Sequence, residues 1–171
     1  MNWIGISGSW RYSLPQLEQD VRRKVTAIVK RGDGIVTGGA LGVDFIATAR
    51  VLEVNPSLNQ LKVIIPTDLT SYLTHYRKQA QKAAISGQQS EKLASQLMFV
   101  QKTRPEALIE GQTGLRVTEQ TYLARNKRIA EASDSLIAFQ VNNSTGTGQT
   151  IDHARKLGKP VTLFAYQSSG A

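Results

Sequence analysis

Short apolar runs alternate with helix-like segments along this chain, and this alternation limits the folds it can adopt. Five runs have the length of a β-strand and are nearly continuously apolar: residues 3–8, 34–37, 61–65, 135–139 and 161–164. Strands buried on both faces have this composition, and the helices between them cover both faces of a parallel sheet. We therefore predict an α/β fold with a mostly parallel sheet and helices on its two faces.

The segments between these runs have helical signals. Apolar residues at helical spacing from Leu14 to Ile28 predict a first helix, with Ser13 as its capping residue and Gly32 at its end. Further predicted helices cover residues 43–54, 71–85, 90–100, 118–132 and 148–157. Residues 67–117 interrupt the strand–helix rhythm, and we interpret them as a helical insertion within one domain of residues 1–171.

Composition sets the class of protein and of partner. A chain of 171 residues with 40% hydrophobic residues is large enough for one well-packed domain. It has no apolar run long enough to span a membrane and no cysteine, so we expect no membrane association and a cytoplasmic location. The net charge of +8 favours anionic partners such as nucleotides, nucleic acid and phosphorylated metabolites.

Three glycine-bearing turns follow predicted strands, at residues 7–9, 38–42 and 144–148. The carboxyl ends of parallel strands share one edge of the sheet, where ligands of open α/β sheets bind. Each turn leads into a helix whose first N–H groups attract phosphate. The turns match neither the Walker pattern nor the dinucleotide GxGxxG pattern. They therefore predict phosphate or nucleotide binding outside those two classes.

Several single residues allow two interpretations. Asp44, in the first turn of a predicted helix, is placed to bind a ribose hydroxyl or to stabilise the helix end. Arg125 and Asn126 lie together on a helix, facing either the cleft or solvent. Trp10 and Tyr12 follow the first glycine turn and either stack on a base or pack internally.

The histidines and the aromatic residues of the insertion also have two interpretations. His75 and His153 lack metal-ligand spacing, so no metal site is predicted. Tyr72 and Tyr76 lie among basic residues, which suits either a nucleic-acid surface or a solvated amphipathic helix. No resident cofactor is predicted.

The glycine turns carry a family resemblance. Residues 36–44 read Val-Thr-Gly-Gly-Ala-Leu-Gly-Val-Asp and resemble a turn of the DNA-processing protein A family. Two further elements of that family are also resembled. The first is residues 122–129, which contain Arg-Asn, followed by residues 133–137, which contain Ser-Asp; the second is residues 146–161. The set is similar to the wider SLOG superfamily, which includes the Lonely Guy phosphoribohydrolases. The likeness covers residues 3–66 and 118–165.

The resemblance implies a Rossmann-like three-layer sandwich with a nucleotide-derived ligand at the glycine turns. We expect a nucleotide-binding sensor or carrier. The alternatives are a single-stranded DNA-binding module and a nucleoside monophosphate phosphoribohydrolase. Self-association among family members makes a homodimer the expected state. The predicted ligand-binding residues are Ser7, Gly8, Ser9, Gly38, Gly39, Ala40, Gly42, Asp44, Arg125, Asn126, Gly146, Thr147 and Gly148.

Catalysis depends on a carboxylate that this chain lacks at the expected position. Thr150 stands where the phosphoribohydrolase pattern has its glutamate, and Asp152 is expected to face elsewhere on the helix. Asp44 and Arg125 remain the candidate catalytic residues. A hydroxyl cannot stabilise a developing ribosyl cation as a carboxylate does, so we predict binding with little or no turnover.

Overall fold

The computed structural model, which describes residues 1–169, contains one sheet of six parallel strands. In chain order the strands are β1 (Trp3–Gly8), β2 (Gly34–Thr37), β3 (Leu61–Ile64), β4 (Leu108–Ile109), β5 (Ser135–Val141) and β6 (Val161–Tyr166). Their order across the sheet is β4-β3-β2-β1-β5-β6, and every neighbouring pair is parallel. The predicted parallel sheet is confirmed.

Helices cover both faces of this sheet. They are α1 (Pro15–Lys30), α2 (Val43–Val54), α3 (Leu69–Gln81), α4 (Gly87–Thr103), α5 (Glu119–Ala132) and α6 (Thr145–Lys156). Helices α1 and α2 pack together on one face, and α5 and α6 pack together on the other. The three-layer, Rossmann-like architecture is therefore confirmed. No helix of the described residues is long and apolar enough to cross a membrane.

Each face of the sheet has its own hydrophobic core. On the α1–α2 face, Leu17, Val21 and Ile35 are fully buried in the larger cluster. On the opposite face, Leu136 packs with Ile151 and other residues of α5 and α6. Burial on both faces explains why the inner strands β1, β2, β3 and β5 are largely apolar. The expectation of two buried faces is wrong for β6, which lies at the edge of the sheet and has only exposed or half-buried residues.

The first helix starts differently from the prediction. Leu14, and not Ser13, is the capping residue, and no side chain caps this helix end. Pro15 explains the difference, because a proline keeps the preceding residue extended and suits the first helical position. Leu14 is extended, with φ −117° and ψ 124°.

The insertion is a helical pair that returns to the sheet. Helices α3 and α4 pack on each other, and Gln96 Nε2 of α4 donates to the carbonyl of Phe45 in α2 at 3.0 Å. A short 3-10 helix, Pro105–Ala107, then leads into β4, which pairs with β3. The strand at residues 108–109 was not predicted, because a strand of two residues is too short to have a periodic signal.

The strand order opens a crevice beside β1. The chain runs from β1 outward through β2, β3 and β4, and then returns to the other side of β1 with β5 and β6. At such a switch point the following helices lie on opposite faces, which separates the loops at the carboxyl ends of the strands. The turns after β1 and β5 therefore border a cleft.

Candidate functional site

The cleft at the carboxyl ends of β1 and β5 has two adjoining chambers. We call the smaller one, of about 120 Å³, the polar chamber; it is lined by Ser7, Gly8, Ser9, Trp10, Ala40, Asp44, Arg125, Asn126, Ile129, Ser144, Gly146 and Thr147. We call the larger one, of about 380 Å³, the aromatic chamber; it is lined by Trp10, Arg11, Ala40, His75, Tyr76, Gln79, Ile85, Glu119, Tyr122, Arg125, Asn126, Thr145, Gly146 and Gln149. Their shared residues make them one cleft.

A row of hydroxyl groups forms one wall of the polar chamber. The backbone N–H of Val141 donates to Ser9 Oγ at 2.9 Å. Ser9 Oγ and Ser144 Oγ are 2.7 Å apart, and Ser144 Oγ donates to Thr147 Oγ1 at 3.0 Å. This row joins the turn after β1 to the turn after β5, so the two turns hold each other in place.

The N-terminus of α6 faces the same cleft. Its first helical backbone bond runs from Gly148 N to Ser144 O at 3.1 Å. The N–H groups of Thr145, Gly146 and Thr147 precede that bond, and no described residue accepts from them. Thr145 and Gly146 line the aromatic chamber, so free donors and the positive end of the helix dipole border the ligand space.

Arg125 connects the two chambers. Its side chain is buried, with Nη1 donating to the carbonyl of Gly38 at 2.5 Å and Nε donating to Asn126 Oδ1 at 2.9 Å. The guanidinium carbon lies 5.2 Å from the ring centre of Tyr122. Among residues 1–169, no partner engages Nη2, which leaves that nitrogen for a ligand acceptor.

Asp44 is the counter-ion of Arg125. Its Oδ2 lies 3.9 Å from Arg125 Nη1 and accepts from the backbone N–H of Ala40 at 3.3 Å. Burial raises the pKa of this carboxyl, while the nearby Arg125 and the backbone bond act in the opposite direction. Asp44 therefore lies in the polar chamber but is already engaged by the protein.

Aromatic side chains of α3 and α5 surround Arg125 on the other side. Tyr72 and Tyr76 of α3 contact edge to face, with ring centres 5.1 Å apart, and Tyr72 donates to the carbonyl of Gly39 at 3.0 Å. Burial raises the pKa of both tyrosines and of Tyr122, so all three are neutral phenols. They supply flat apolar surface without negative charge.

Trp10 and His75 form the outer part of the aromatic chamber. Trp10 is 43% exposed, and the Arg11 guanidinium lies 4.9 Å from its ring centre. His75 packs edge to face against Tyr76 and Tyr122. Burial lowers the pKa of His75 below its usual value of 6.5, and the positive charges of Lys82 and Lys78 lower this pKa further. The imidazole is therefore neutral at pH 7.

The predicted site residues divide into two groups. The cleft walls include Ser7, Gly8, Ser9, Ala40, Asp44, Arg125, Asn126, Gly146 and Thr147. The second group lies outside the cleft walls. Gly38 lies behind Arg125, Gly148 lies beside Gln140, and Gly39 and Gly42 lie in close contact with other parts of the protein. A Cβ on Gly39 would meet Ile65 at 2.8 Å, and a Cβ on Gly42 would meet the carbonyl of Ser9 at 2.4 Å.

Sequence reasoning missed much of the aromatic chamber. Tyr72 and Tyr76 were predicted either on a nucleic-acid surface or on a solvated helix, yet both are buried against Arg125. Their spacing of four residues, which places them on one face of α3, was the available signal. Trp10 lines the cleft, whereas Tyr12 packs against the core.

Thr150 and Asp152, the residues at and near the expected catalytic position, line neither chamber. Thr150 is buried and donates back to the carbonyl of Gly146 at 3.2 Å, and Asp152 is exposed on α6. Within residues 1–169, no three acidic or histidine side chains cluster as a metal site requires. The arrangement combines donors for an anion with aromatic walls for a ring.

Comparisons with known proteins agree with this architecture. A family model described as DNA recombination-mediator protein A matches residues 2–169. No protein of curated function matches the sequence. The structure of DNA processing protein A from Helicobacter pylori, studied for its single-stranded DNA binding mode, is 23% identical with a TM-score of 0.69. The alignment covers 95% of this chain and 64% of that protein, so this chain spans less than two thirds of it.

Two further structures share the fold at lower identity. The molybdenum cofactor binding protein from Rippkaea orientalis is 20% identical, with a TM-score of 0.58 and coverage of 96% of this chain and 76% of that one. The molybdenum cofactor carrier protein of Chlamydomonas reinhardtii is 15% identical, with a TM-score of 0.56 and coverage of 99% and 91%. At these identities the likeness establishes the fold alone.

Proposed function

We propose that this chain, which belongs to the family of DNA recombination-mediator protein A, binds a nucleotide or a nucleotide-derived small molecule in the cleft between β1 and β5. The observation that carries the proposal is the joining of a polar chamber to an aromatic chamber through Arg125 and Asn126. A phosphorylated sugar and a planar ring are the two parts that such a pair of chambers fits.

The polar chamber supplies donors to a phosphate. Its lining includes Gly146 and Thr147 at the start of α6, the hydroxyl-bearing Ser144, and Arg125, whose Nη2 has no partner among the described residues. Asp44 neutralises the buried charge of Arg125 in the free protein, so no bare cation is buried before the ligand arrives. Helix N-termini bind phosphate in this way in many α/β proteins.

The aromatic chamber supplies surface to a ring. Its volume of about 380 Å³ lies in the range of small-molecule sites, about 300–1,000 Å³. Trp10 is the exposed aromatic residue at its border, and Tyr122 lies deeper, against Arg125. Stacking on an aromatic side chain contributes about 1–3 kcal/mol per base.

Fluorescence titration tests the proposal directly. The chain has two tryptophans; Trp10 lies in the cleft, whereas Trp3 lies against Lys62 in another cluster. We expect nucleoside 5′-monophosphates to change the emission of the wild-type protein and of a Trp3→Phe variant. Unchanged emission of both, together with no heat of binding in calorimetry, would refute the proposal. Chromatography of the same mixtures for free base tests the expected absence of turnover.

Single-stranded DNA is the second candidate ligand, favoured by the net charge of +8 and by the Helicobacter pylori relative. The dependence of affinity on salt concentration distinguishes single-stranded DNA from a mononucleotide. Binding through several phosphates weakens steeply as salt increases, with a slope of about −0.7 per phosphate for single strands, whereas one mononucleotide gives a slope near −1 or shallower. We expect the shallow slope and micromolar mononucleotide binding. An oligonucleotide that binds at least tenfold more tightly than its mononucleotide, with a steep slope, would favour DNA.

Two further expectations accompany the proposal. We expect a homodimer, which light scattering across a concentration series tests. We also expect a cytoplasmic location and a role as a sensor or carrier. The cleft supplies donors and stacking surface, and the Asp44 carboxylate of its polar chamber is already engaged by the protein.

A further inference from the structure

One carboxylate on the wall of the aromatic chamber has no partner in the described part of the chain. Glu119, the first residue of α5, is exposed and lines this chamber. Among residues 1–169 its side chain forms no hydrogen bond and no ion pair. An acidic residue suits the first turn of any helix, but here it also adds an acceptor to a chamber whose other charged groups are Arg11 and Arg125.

The amide side chains of the same chamber are partly engaged. Asn126 accepts from Arg125 Nε and donates to the carbonyl of Gly146 at 3.4 Å. Gln149 accepts from Asn126 through Oε1 at 3.5 Å, which leaves its NH₂ group for a ligand. The chamber therefore offers a ring two kinds of polar contact, a carboxylate that only accepts and an amide that donates.

We infer that the aromatic chamber selects a ring that carries two adjacent N–H donors, and that Glu119 accepts from both. Guanine and pterins share this edge, a ring N–H next to an exocyclic amine. Adenine places a lone pair beside its amine, and that lone pair would face the carboxylate. The inference rests on the proposed function and adds the class of ring that the same cleft selects.

A comparison of three nucleotides tests this selectivity. Inosine 5′-monophosphate differs from guanosine 5′-monophosphate by the missing amine, and adenosine 5′-monophosphate presents the lone pair. We expect the guanine nucleotide to bind about tenfold more tightly than either, as a bidentate contact to a base edge predicts. The Glu119→Gln variant should reduce this preference to about twofold.

A matched control separates local contact from overall charge. Glu91 of α4 is exposed, lines no cavity described above and carries the same charge, so Glu91→Gln should keep the tenfold preference. Circular dichroism confirms that both variants are folded. Equal affinity for all three nucleotides, or a preference that survives in Glu119→Gln, would overturn the inference while leaving the proposed function intact. Absence of binding by any nucleotide would instead refute the proposed function, and the ring selectivity with it.

Discussion

The turns that follow β2 and β5 lie at the same edge of the sheet and use their glycines differently. In the β2–α2 turn, residues 38–42, the space beside each glycine is filled by protein. Gly38 faces Arg125 and Asp44, Gly39 faces the core, and Gly42 touches the backbone after β1. The β5–α6 turn, residues 142–144, leads directly into α6, whose second residue is Gly146. No atom lies within 4 Å of the position that a Cβ on Gly146 would take.

This difference separates two physical reasons for glycine. In the first turn, glycine permits close packing and positive φ, with 63° at Gly39 and 72° at Gly42. In the second turn, glycine leaves space that a ligand can occupy. The first turn therefore builds the cleft from behind, and the second turn borders the space where a ligand would bind.

The largest expected effect comes from Gly39→Val. A branched side chain at φ 63° is strained, and its Cβ would approach Ile65 and Val63 within 3 Å. We expect a loss of about 3 kcal/mol or more in the free energy of unfolding, measured in urea. A variant of wild-type stability that no longer binds nucleotide would contradict this and place Gly39 in the ligand site.

The Gly146→Leu variant tests the second turn. No protein atom obstructs the new side chain at Cβ, and leucine favours a helix more than glycine does, so the unfolding free energy should be unchanged or slightly higher. The side chain would occupy ligand space, so affinity for guanosine 5′-monophosphate should fall about tenfold or more, equivalent to at least about 1.4 kcal/mol.

A second glycine provides the control for that variant. Gly87 lies in the first turn of α4 and also has no atom within 4 Å of its Cβ position, but it lies outside the cleft. Gly87→Leu should therefore bind nucleotide like the wild type. If both variants retained full affinity, the open space at Gly146 would not be part of the binding site.

A smaller effect is expected at His75, which lines the aromatic chamber together with Gly146. Burial holds the pKa of His75 below 6.5 in the free protein. A bound anion in the same cleft favours the protonated imidazole, so nucleotide should raise this pKa in an NMR titration. His153, which lines neither chamber, is the internal reference. A His75 pKa that stays the same at saturating nucleotide would show that the charge of the bound ligand does not act on the aromatic chamber.

The sequence predicted the polar chamber better than the aromatic one for a physical reason. A glycine-bearing turn marks the ends of β1 and β5 in the sequence. Because parallel strands bring their carboxyl ends to one edge of the sheet, these local patterns place Ser9 and Gly146 at that edge. The aromatic chamber depends on how α3 packs against α5. No local pattern shows that Tyr76 faces Arg125, which lies 49 positions away along the chain.

The glycines show a second limit of sequence reasoning. Gly39 and Gly146 give the same local signal, a glycine near the end of a strand and before or within the start of a helix. The structure distinguishes them by backbone and by neighbours: Gly39 has φ 63° and lies beside Ile65 and Val63, whereas Gly146 has neither a positive φ nor a close neighbour. β4 was missed for a related reason, because a pairing of two residues depends on its partner strand and not on its own composition.

The hydroxyl row of the polar chamber has a direction. Val141 N–H donates to Ser9, and Ser144 donates to Thr147, so Ser9 must give its single proton to Ser144. The proton of Thr147 is then left at the end of the row, beside the chamber. The bond from Ser144 to Thr147 thus sets the proton direction of the row, since each hydroxyl group has a single proton to donate. At Thr147 the wall therefore offers a donor to a ligand oxygen that accepts.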